Sequence, residues 1–193
     1  MNNTRASSWK IGTGFGLLSA LAVMSATSGC GATVGLSSDR YTPLFDAAPL
    51  AKYNGKAIVL RTFENVDNNT SFFLYQGTGR RYGGPVLTSY FWYCFKNSFA
   101  KLGVTVLEDG QPALGVPAMA MKLTHINENG FTVSVIASGA SGQPPLQKDY
   151  AIVGPPVADP KDVAGLESRA YAMMSALFTN IASDPQFQSV VAP

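Results

Sequence analysis

The sequence predicts an α+β fold, in which a mostly antiparallel sheet of about four to five strands carries two helices packed on one face. Three observations predict this class. Short runs of branched and aromatic residues are separated by turn residues, which is typical of strands. Two longer segments, 89–102 and 159–181, repeat apolar residues every three or four positions, as amphipathic helices do. The segment 118–138 has the pattern of a β-hairpin.

The first half of the domain is predicted to contribute two strands, a loop and a helix. Residues 56–63 and 71–75 are rich in branched and aromatic residues and are predicted as strands. Residues 77–84 contain four glycines and are predicted as a loop. The segment 89–102 is predicted as a helix, because its large apolar residues recur on one face: Phe91, Phe95, Phe99 and Leu102.

The second half is dominated by the hairpin. Residues 118–126 and 131–138 alternate apolar and polar positions, and 127–130 between them read Asn-Glu-Asn-Gly, a strong turn signal. Residues 104–107 and 146–153 are predicted as further strands.

The last predicted element is a long helix. Asp159 is placed to cap it and Pro160 suits its first position. Its apolar stripe comprises Val163, Leu166, Ala170, Met173, Leu177 and Ile181, and Pro185 is expected to follow its end.

The first 29 residues have the features of an export signal. They begin with the basic residues Arg5 and Lys10, contain no acid, and continue with an apolar stretch at 11–24. That stretch is shorter than the roughly 20 residues that span a bilayer as a helix, so an uncleaved anchor is disfavoured. Small residues at 26–29 complete the pattern of a cleaved signal peptide.

The charge balance of the remaining chain excludes two classes of partner. The whole sequence has 14 basic and 12 acidic side chains. Because Arg5 and Lys10 lie in the export segment, 12 basic and 12 acidic side chains remain after cleavage. A domain without net charge or a basic patch is not expected to bind nucleic acid or to dock electrostatically on anionic lipid.

The end of the export segment, Thr27-Ser28-Gly29-Cys30, resembles the bacterial lipobox. The resemblance implies that Cys30 is diacylated, with palmitate among its acyl chains, and becomes the N-terminus of a membrane-anchored lipoprotein. Thr27 stands where the lipobox usually has an aliphatic residue, and an ordinary cleaved signal followed by a soluble secreted domain is the alternative. Gly31 is not the Asp of inner-membrane retention signals, so we expect an outer-membrane lipoprotein facing the periplasm.

The chain is accordingly divided into three parts. Residues 1–29 are the lipoprotein signal peptide, and 30–53 are predicted as a tether, because they lack periodicity and contain several Gly, Ser and Pro residues. Residues 54–193 are predicted to form a single α+β domain.

Few side chains are candidates for chemistry. His125 is the one histidine in the sequence, and Cys94 is the one cysteine besides Cys30. We interpret His125 as a residue at the rim of the sheet and Cys94 as a small buried thiol. An envelope hydrolase that uses Cys94, or a serine, with His125 is the enzymatic alternative. No metal and no cofactor are expected, and the protein is predicted not to be an enzyme.

Two features suggest contacts with other molecules. Arg80, Arg81 and Tyr82, in the glycine-rich loop, could hold an anion or a protein partner, or could simply be solvated. The helix around Tyr90–Phe99 has more aromatic residues than one core contact requires, and Tyr93 falls on its polar side and should be exposed. A lipid- or partner-binding face is the alternative to a purely structural stripe.

The order of elements resembles that of accessory lipoproteins. An anchoring cysteine, a strand, a helix, a hairpin and a last helix occur in auxiliary lipoproteins of ABC-type lipid transport systems and in the lipopolysaccharide-assembly lipoprotein. The resemblance implies a non-enzymatic accessory or binding subunit of a membrane transport or assembly complex, with a protein partner in the envelope, but it carries over no functional residue. A periplasmic module that binds lipid or a small apolar ligand between sheet and helices is the second hypothesis.

Overall fold

The computed structural model describes residues 33–67, 81–83, 87–111, 113–127, 129–139, 144–156, 158–159 and 161–193. For 81–83 and Asn127 it describes the backbone alone. The predicted strand at 71–75 and the export segment lie outside the described residues, as do Cys30 and Arg80.

The strands of the main sheet are β2 (Ala57–Leu60), β3 (Glu64–Asn65), β5 (Thr105–Glu108), β6 (Ala118–Asn127), β7 (Gly130–Ser138) and β8 (Leu146–Val153). They run in the order β5-β2-β6-β7-β8, with β3 paired to β6 beyond the end of β2. Pairing is parallel from β5 through β2 to β6 and antiparallel from β6 through β7 to β8. The α+β class is therefore confirmed, but the sheet is mixed and the prediction of a mostly antiparallel sheet is wrong.

The parallel pairing of β2 and β5 follows from the position of the first helix, α1 (Leu87–Lys101). It lies between β2 and β5 in the chain and carries the chain back along the sheet, so β5 begins at the same end as β2 and runs parallel to it. The strand pattern identified these segments, but a strand's own sequence does not show which neighbour it pairs with. The hairpin of β6 and β7 and the strand β8 occur where the sequence predicted them.

Two further helices follow the sheet, α2 (Val163–Ser183) and α3 (Pro185–Val191). Asp162, and not Asp159, caps α2, since its carboxylate accepts a 3.0 Å hydrogen bond from the Gly165 amide. Pro185 does not simply follow the last helix; it begins α3, whose cap Asp184 accepts a 2.8 Å bond from the Gln186 amide. Pro at the first helical position has no amide that needs a partner there.

The core lies between one face of the sheet and the helices. Met119, Met121 and Leu123 of β6 point to this face and pair with Ala137, Val135 and Val133 of β7. The ring of Phe91 in α1 packs against that of Phe131 in β7, with centroids 5.1 Å apart. The hydroxyl of Tyr150 in β8 donates to Asp184 at the junction of α2 and α3. These contacts place the helices on the same face of the sheet.

The segment predicted as a tether is packed into the domain from Thr33 onward. It forms β1 (Thr33–Gly35), which pairs in parallel with β4 (Arg81–Gly83), and a short 3₁₀ helix at Ala48–Tyr53. Its apolar side chains belong to the main core: Val34, Leu36, Tyr41, Leu50 and Tyr53. They follow an irregular path, so they have neither helical nor strand spacing, and the sequence pattern did not reveal their burial. The strand β4 also replaces part of the predicted loop at 77–84.

This segment, which we call the N-terminal strap (residues 33–53), is held in the groove between α1 and α2. The Tyr41 hydroxyl lies 3.0 Å from the Ser98 hydroxyl of α1 and 3.1 Å from the Ser175 hydroxyl of α2. The Lys101 ammonium donates to the Pro43 carbonyl at 2.7 Å. The strap is therefore an element of the fold and not a spacer.

Candidate binding cleft

The parallel half of the sheet forms an open cleft beside α1. A helix that connects two parallel strands begins near their carboxyl ends, and in sheets of this kind ligands bind in the crevice beyond those ends. Here the cleft has a volume of about 310 Å³. It is lined by Leu60, Thr62, Phe63, Thr88, Ser89, Trp92, Tyr93, Glu108 and Asp109.

One wall of the cleft is aromatic. Trp92 and Tyr93 project from α1 with their ring centroids 5.0 Å apart and nearly perpendicular planes. The indole N–H of Trp92 donates to the Leu60 carbonyl at 3.4 Å, which holds the ring against the end of β2. Tyr93 is 48% exposed, as its place on the polar side of the helix predicted. Of the aromatic residues of this helix, Tyr93 thus lies outside the core, and Trp92 packs at its edge.

The opposite wall is acidic, with Glu108 ending β5 and Asp109 following it. Glu108 accepts a 3.1 Å bond from the Lys96 ammonium, which also lies over the Trp92 ring, 5.2 Å from its centroid. Asp109 pairs with Arg61 at 3.5 Å. All four charged side chains are more than a third exposed, so both pairs are screened and contribute little to stability.

The chemistry of the lining suits binding. Its hydroxyls, from Thr62, Thr88 and Ser89, can donate or accept hydrogen bonds, and its rings offer faces for stacking. Among the described residues, the lining also has the carboxylates of Glu108 and Asp109. The arrangement can therefore hold a ligand or partner whose surface is polar and partly apolar.

Cys94 and His125 are not arranged for catalysis. Cys94 is fully buried, and burial raises the pKa of its thiol, which opposes formation of the nucleophilic thiolate. His125 is largely exposed near the hairpin turn, with its Nδ1 3.9 Å from the Asp67 carboxylate. The buried Cys94 thiol of α1 and the exposed His125 imidazole near the end of β6 therefore do not support the hydrolase hypothesis in its Cys94 form.

A β-bulge explains the exposure of His125. By simple alternation it would share the core face with Met119, Met121 and Leu123. The register shifts between Leu123 and His125, so that Ile126 takes the next core position. The Ile126 amide donates to Asp67 at 2.7 Å, which fixes the strand beyond the bulge. His125 is therefore at the rim, as predicted, for a reason that the strand pattern did not show.

Of the other predicted site residues, the structure describes the backbone of Arg81 and Tyr82 alone. Arg81 and Tyr82 lie in β4, where their backbone pairs with Thr33 and Val34 of β1. Cys30 and Arg80 lie outside the described residues, so the predictions of lipidation and of an anion or partner contact stay predictions.

The cleft itself was missed by sequence reasoning. Glu108 and Asp109 directly follow the predicted strand 104–107, but nothing in the sequence shows that this strand ends beside α1. The usable signal was the aromatic surplus of α1, with Trp92 and Tyr93 next to its buried stripe. The aromatic residues of α1 and the acidic residues after β5 lie close together only because β2 and β5 are parallel and α1 connects them.

Within the described ranges, no three His, Cys, Asp or Glu side chains come together in a way that could hold a metal ion. Among the helices that the structure describes, none combines the length and the apolar character needed to cross a membrane.

Comparisons with known proteins give only distant likenesses. No protein-family model matches the chain, and no curated protein matches it. Among solved structures, the chain is similar to an uncharacterized protein, with 10% identity and a TM-score of 0.45 over 67% of this chain and 91% of that one. It is also similar to protein XCC0632 from Xanthomonas campestris, of family DUF330, with 8% identity and a TM-score of 0.45 over 71% and 85%. Both likenesses are too distant to transfer a function.

Proposed function

We propose that this protein is a non-enzymatic lipoprotein of the cell envelope, anchored through Cys30 in the outer membrane and facing the periplasm. In this role it is an accessory or binding subunit of a membrane transport or assembly complex. The observation that carries the proposal is the open cleft, where the partly buried ring of Trp92 and the exposed ring of Tyr93 lie opposite the carboxylates of Glu108 and Asp109.

The composition of the cleft fits a protein contact. Trp and Tyr are enriched among the residues that dominate binding energy at protein interfaces, where polar groups surround an aromatic centre. The Lys96–Glu108 and Arg61–Asp109 pairs are exposed and weak, so a partner's charged groups can replace one member of each at small cost. The hydroxyls of Thr88 and Ser89 add donors and acceptors at the rim.

The alternative site for a ligand, between sheet and helices, gains no support from the described residues. Large side chains fill that space with less than 2% exposure each, among them Phe91, Phe95, Met119 and Met121. A small apolar ligand would have to displace them, and loss of close packing in a core is costly.

Anchoring is tested by metabolic labelling with a palmitate analogue. We expect label in the native chain and none in Cys30→Ser, since the thiol is the acceptor. Cys94→Ser serves as the matched control and should keep the label, because Cys94 is buried. Equal label in the native chain and in Cys30→Ser would overturn the lipoprotein proposal and leave a secreted soluble protein.

The partner contact is tested by site-specific photo-crosslinking in intact cells. A photoreactive residue replacing Tyr93 should crosslink to a subunit of a membrane complex, and Trp92→Ala should reduce that crosslink. The same residue in place of Leu114, which is fully exposed and outside the cleft, is the control and should not give this product. Recovery of the monomer alone from the Tyr93 position would contradict the proposal.

A further inference from the structure

The cleft already holds a positively charged group, and that group belongs to the chain itself. The Lys96 ammonium lies 5.2 Å from the centroid of the Trp92 ring and 6.0 Å from that of Tyr93. It also donates to the Glu108 carboxylate at 3.1 Å. Aromatic faces within about 6 Å of a cation attract it, and a carboxylate beside them adds a charge-assisted hydrogen bond. The two walls of the cleft together therefore have the chemistry of a site for an organic cation.

Lys96 occupies this position loosely. Its side chain is 37% exposed, and it reaches the ring of Trp92 because residues four apart on a helix are neighbours on its surface. A long lysine side chain loses rotamer freedom when it is held in one place and regains that freedom when it is released into solvent. Its exposed pair with Glu108 is screened by water and contributes little to stability. A cation from another molecule can therefore replace Lys96 at small cost.

A second position for a cation lies beside the first. Asp109 follows Glu108 in the chain and lines the same cleft, and its carboxylate pairs with Arg61 at 3.5 Å. That distance is longer than the roughly 2.7–3.2 Å of a good N–H···O bond, and both side chains are about half exposed. The charged side chains that line the described cleft are the two carboxylates of Glu108 and Asp109. The cleft thus presents two neighbouring negative charges, each with a loosely held cation of the same chain.

We propose that the cleft binds a basic segment of a partner protein, and that an arginine of this segment replaces Lys96 between the Trp92 ring and the Glu108 carboxylate. The inference rests on the proposed function, in which the cleft contacts a protein of a membrane complex, and it names the chemistry of that partner. A guanidinium is planar and more weakly hydrated than an ammonium, stacks on aromatic rings and bonds a carboxylate through two N–H groups. An arginine therefore gains more from the same two groups than Lys96 does, and a second basic residue of the segment can pair with Asp109.

The acidic lining favours a protein segment over a phospholipid headgroup as the source of the cation. The ammonium of a zwitterionic headgroup is joined through two carbons to a phosphate, and the carboxylates of Glu108 and Asp109 would repel that phosphate. A peptide presents basic side chains without an attached anion. The hydroxyls of Thr88 and Ser89 can bond the backbone of such a segment, since a hydroxyl both donates and accepts.

Binding of short peptides tests the proposal. The probe is a fluorescently labelled peptide with two adjacent arginines, and its control is the same peptide with citrulline, which keeps the shape but has no charge. Fluorescence anisotropy measures the binding of each peptide to the full chain, purified in a neutral detergent. We expect the arginine peptide to bind at least about tenfold more tightly, because charge pairing and cation–π attraction are both lost in citrulline. Equal binding of the two peptides would overturn the proposal.

The direction of the effect of Lys96→Ala tests whether Lys96 occupies the place of the incoming cation. If it does, its removal should strengthen the binding of the arginine peptide at least about threefold, since a competitor is lost. Lys52→Ala is the matched control, because it removes the same charge at an exposed position of the strap, and it should change binding by less than about twofold. Binding in Lys96→Ala that is weaker than in Lys52→Ala, or equal to it, would overturn the replacement of Lys96.

A pair of double variants tests the carboxylates. Glu108→Gln with Asp109→Asn should weaken the binding of the arginine peptide at least about tenfold, because both charges that hold the basic segment are removed. Asp39→Asn with Asp149→Asn is the matched control, since these acids are exposed and outside the cleft, and binding should stay within about twofold. Equal losses in the two double variants would show a general attraction of charge and overturn the site.

Competition identifies the source of the cation. Arginine amide should displace the labelled peptide, whereas glycerophosphoethanolamine, the soluble headgroup of a zwitterionic lipid, should not. Displacement by the headgroup at an equal or lower concentration would assign the cleft to lipid and overturn the protein segment. These outcomes are separate from photo-crosslinking at Tyr93 in cells. A crosslink without a preference for the arginine peptide overturns the basic character of the partner alone, and peptide binding without a crosslink overturns the partner complex alone.

Discussion

The strap side of the helices and the cleft beside α1 both contain polar groups, but these groups have different surroundings. On the strap side, the hydroxyls of Tyr41, Ser98 and Ser175 are buried and bonded to one another. In the cleft, the charged groups of Lys96 and Glu108 are solvated and paired only loosely. A buried polar group is costly to leave without its partner, whereas an exposed one exchanges its partner for water. The strap side therefore holds the fold together, and the cleft is free to bind.

The same contrast holds for carboxylates. Asp184, at the junction of α2 and α3, has a side chain that is 7% exposed and accepts bonds from Lys148, Tyr150 and the Gln186 amide. Asp109 in the cleft is 49% exposed and has Arg61 as its ion-pair partner. Equivalent substitutions at the two places should therefore differ in their effect on stability.

The largest expected effect comes from removing an aromatic ring beneath the strap. Phe178 is buried and packs against Phe45, Phe95 and Phe99, with centroids 4.9–5.5 Å apart. Phe178→Ala should lower the free energy of unfolding by about 3–5 kcal/mol, through lost burial and the cavity left behind. Tyr93→Ala, on the exposed wall of the cleft, is the control and should cost under about 1 kcal/mol. Urea unfolding measures both, and similar losses would contradict the comparison.

The next largest loss of stability is expected from removing the charge of Asp184. Asp184→Asn keeps the shape but removes the charge that faces Lys148 at 2.6 Å, and we expect a loss of about 2 kcal/mol at pH 7. Asp109→Asn is the matched control and should cost about 0.5 kcal/mol or less, as exposed pairs do. Equal losses for the two variants in urea unfolding would show that burial does not distinguish the carboxylates.

The pH dependence gives an independent check on Asp184. Burial alone would raise the pKa of this carboxyl, but hydrogen bonds from Lys148, Tyr150 and the Gln186 amide outweigh it, and the pKa is lowered. A lowered pKa in the folded state stabilises the protein above the pKa of the unfolded chain, about 3.9. This stabilisation is lost as the pH falls through the folded-state pKa. The difference between wild type and Asp184→Asn should therefore shrink below about pH 4, and a constant difference would contradict the assigned bonds.

The strands of the main sheet and the helix α3 show what the sequence could and could not predict. The β6–β7 hairpin and β8 were predicted closely, because alternation and the Asn-Glu-Asn-Gly turn are local signals. The parallel pairing of β2 with β5 and β6 was not, because it depends on where α1 returns the chain. The helix α3 was also missed, since its seven residues are too few for a periodic pattern and Pro185 was taken as a stop signal.

The strap and the cleft were missed for a related reason. The side chains of Leu36, Tyr41 and Leu50 are buried by tertiary contacts with α1 and α2, and their spacing follows no regular element. In the cleft, Trp92 and Glu108 are 16 positions apart in the chain and meet only because β5 lies beside α1. Local patterns thus predicted most of the elements, while the features that matter for function arose from their assembly.

A smaller effect is expected from one hydroxyl of the strap. Tyr41→Phe removes the group that joins Ser98 of α1 to Ser175 of α2 but keeps the ring. We expect a loss of about 1 kcal/mol, since Ser98 still donates to the Cys94 carbonyl and Ser175 still accepts from the Leu44 amide. Tyr93→Phe, whose hydroxyl is on the exposed side of α1, is the control and should change stability by less than about 0.5 kcal/mol. Thermal unfolding of the two variants decides between a strap that is hydrogen-bonded and one held by apolar contact alone.

The smallest effect on stability belongs to the cleft, where the charges are expected to serve binding. Lys96→Ala removes an ammonium that is 37% exposed and pairs with Glu108, so the free energy of unfolding should change by about 0.5 kcal/mol or less. The same change uncovers the face of Trp92 and frees the carboxylate, so it should alter crosslinking at Tyr93 far more than it alters stability. Lys52→Ala, at an exposed position of the strap, is the control for both measurements. A loss of stability in Lys96→Ala comparable to that in Asp184→Asn would show that the cleft charges hold the fold, and would remove the distinction between the two regions.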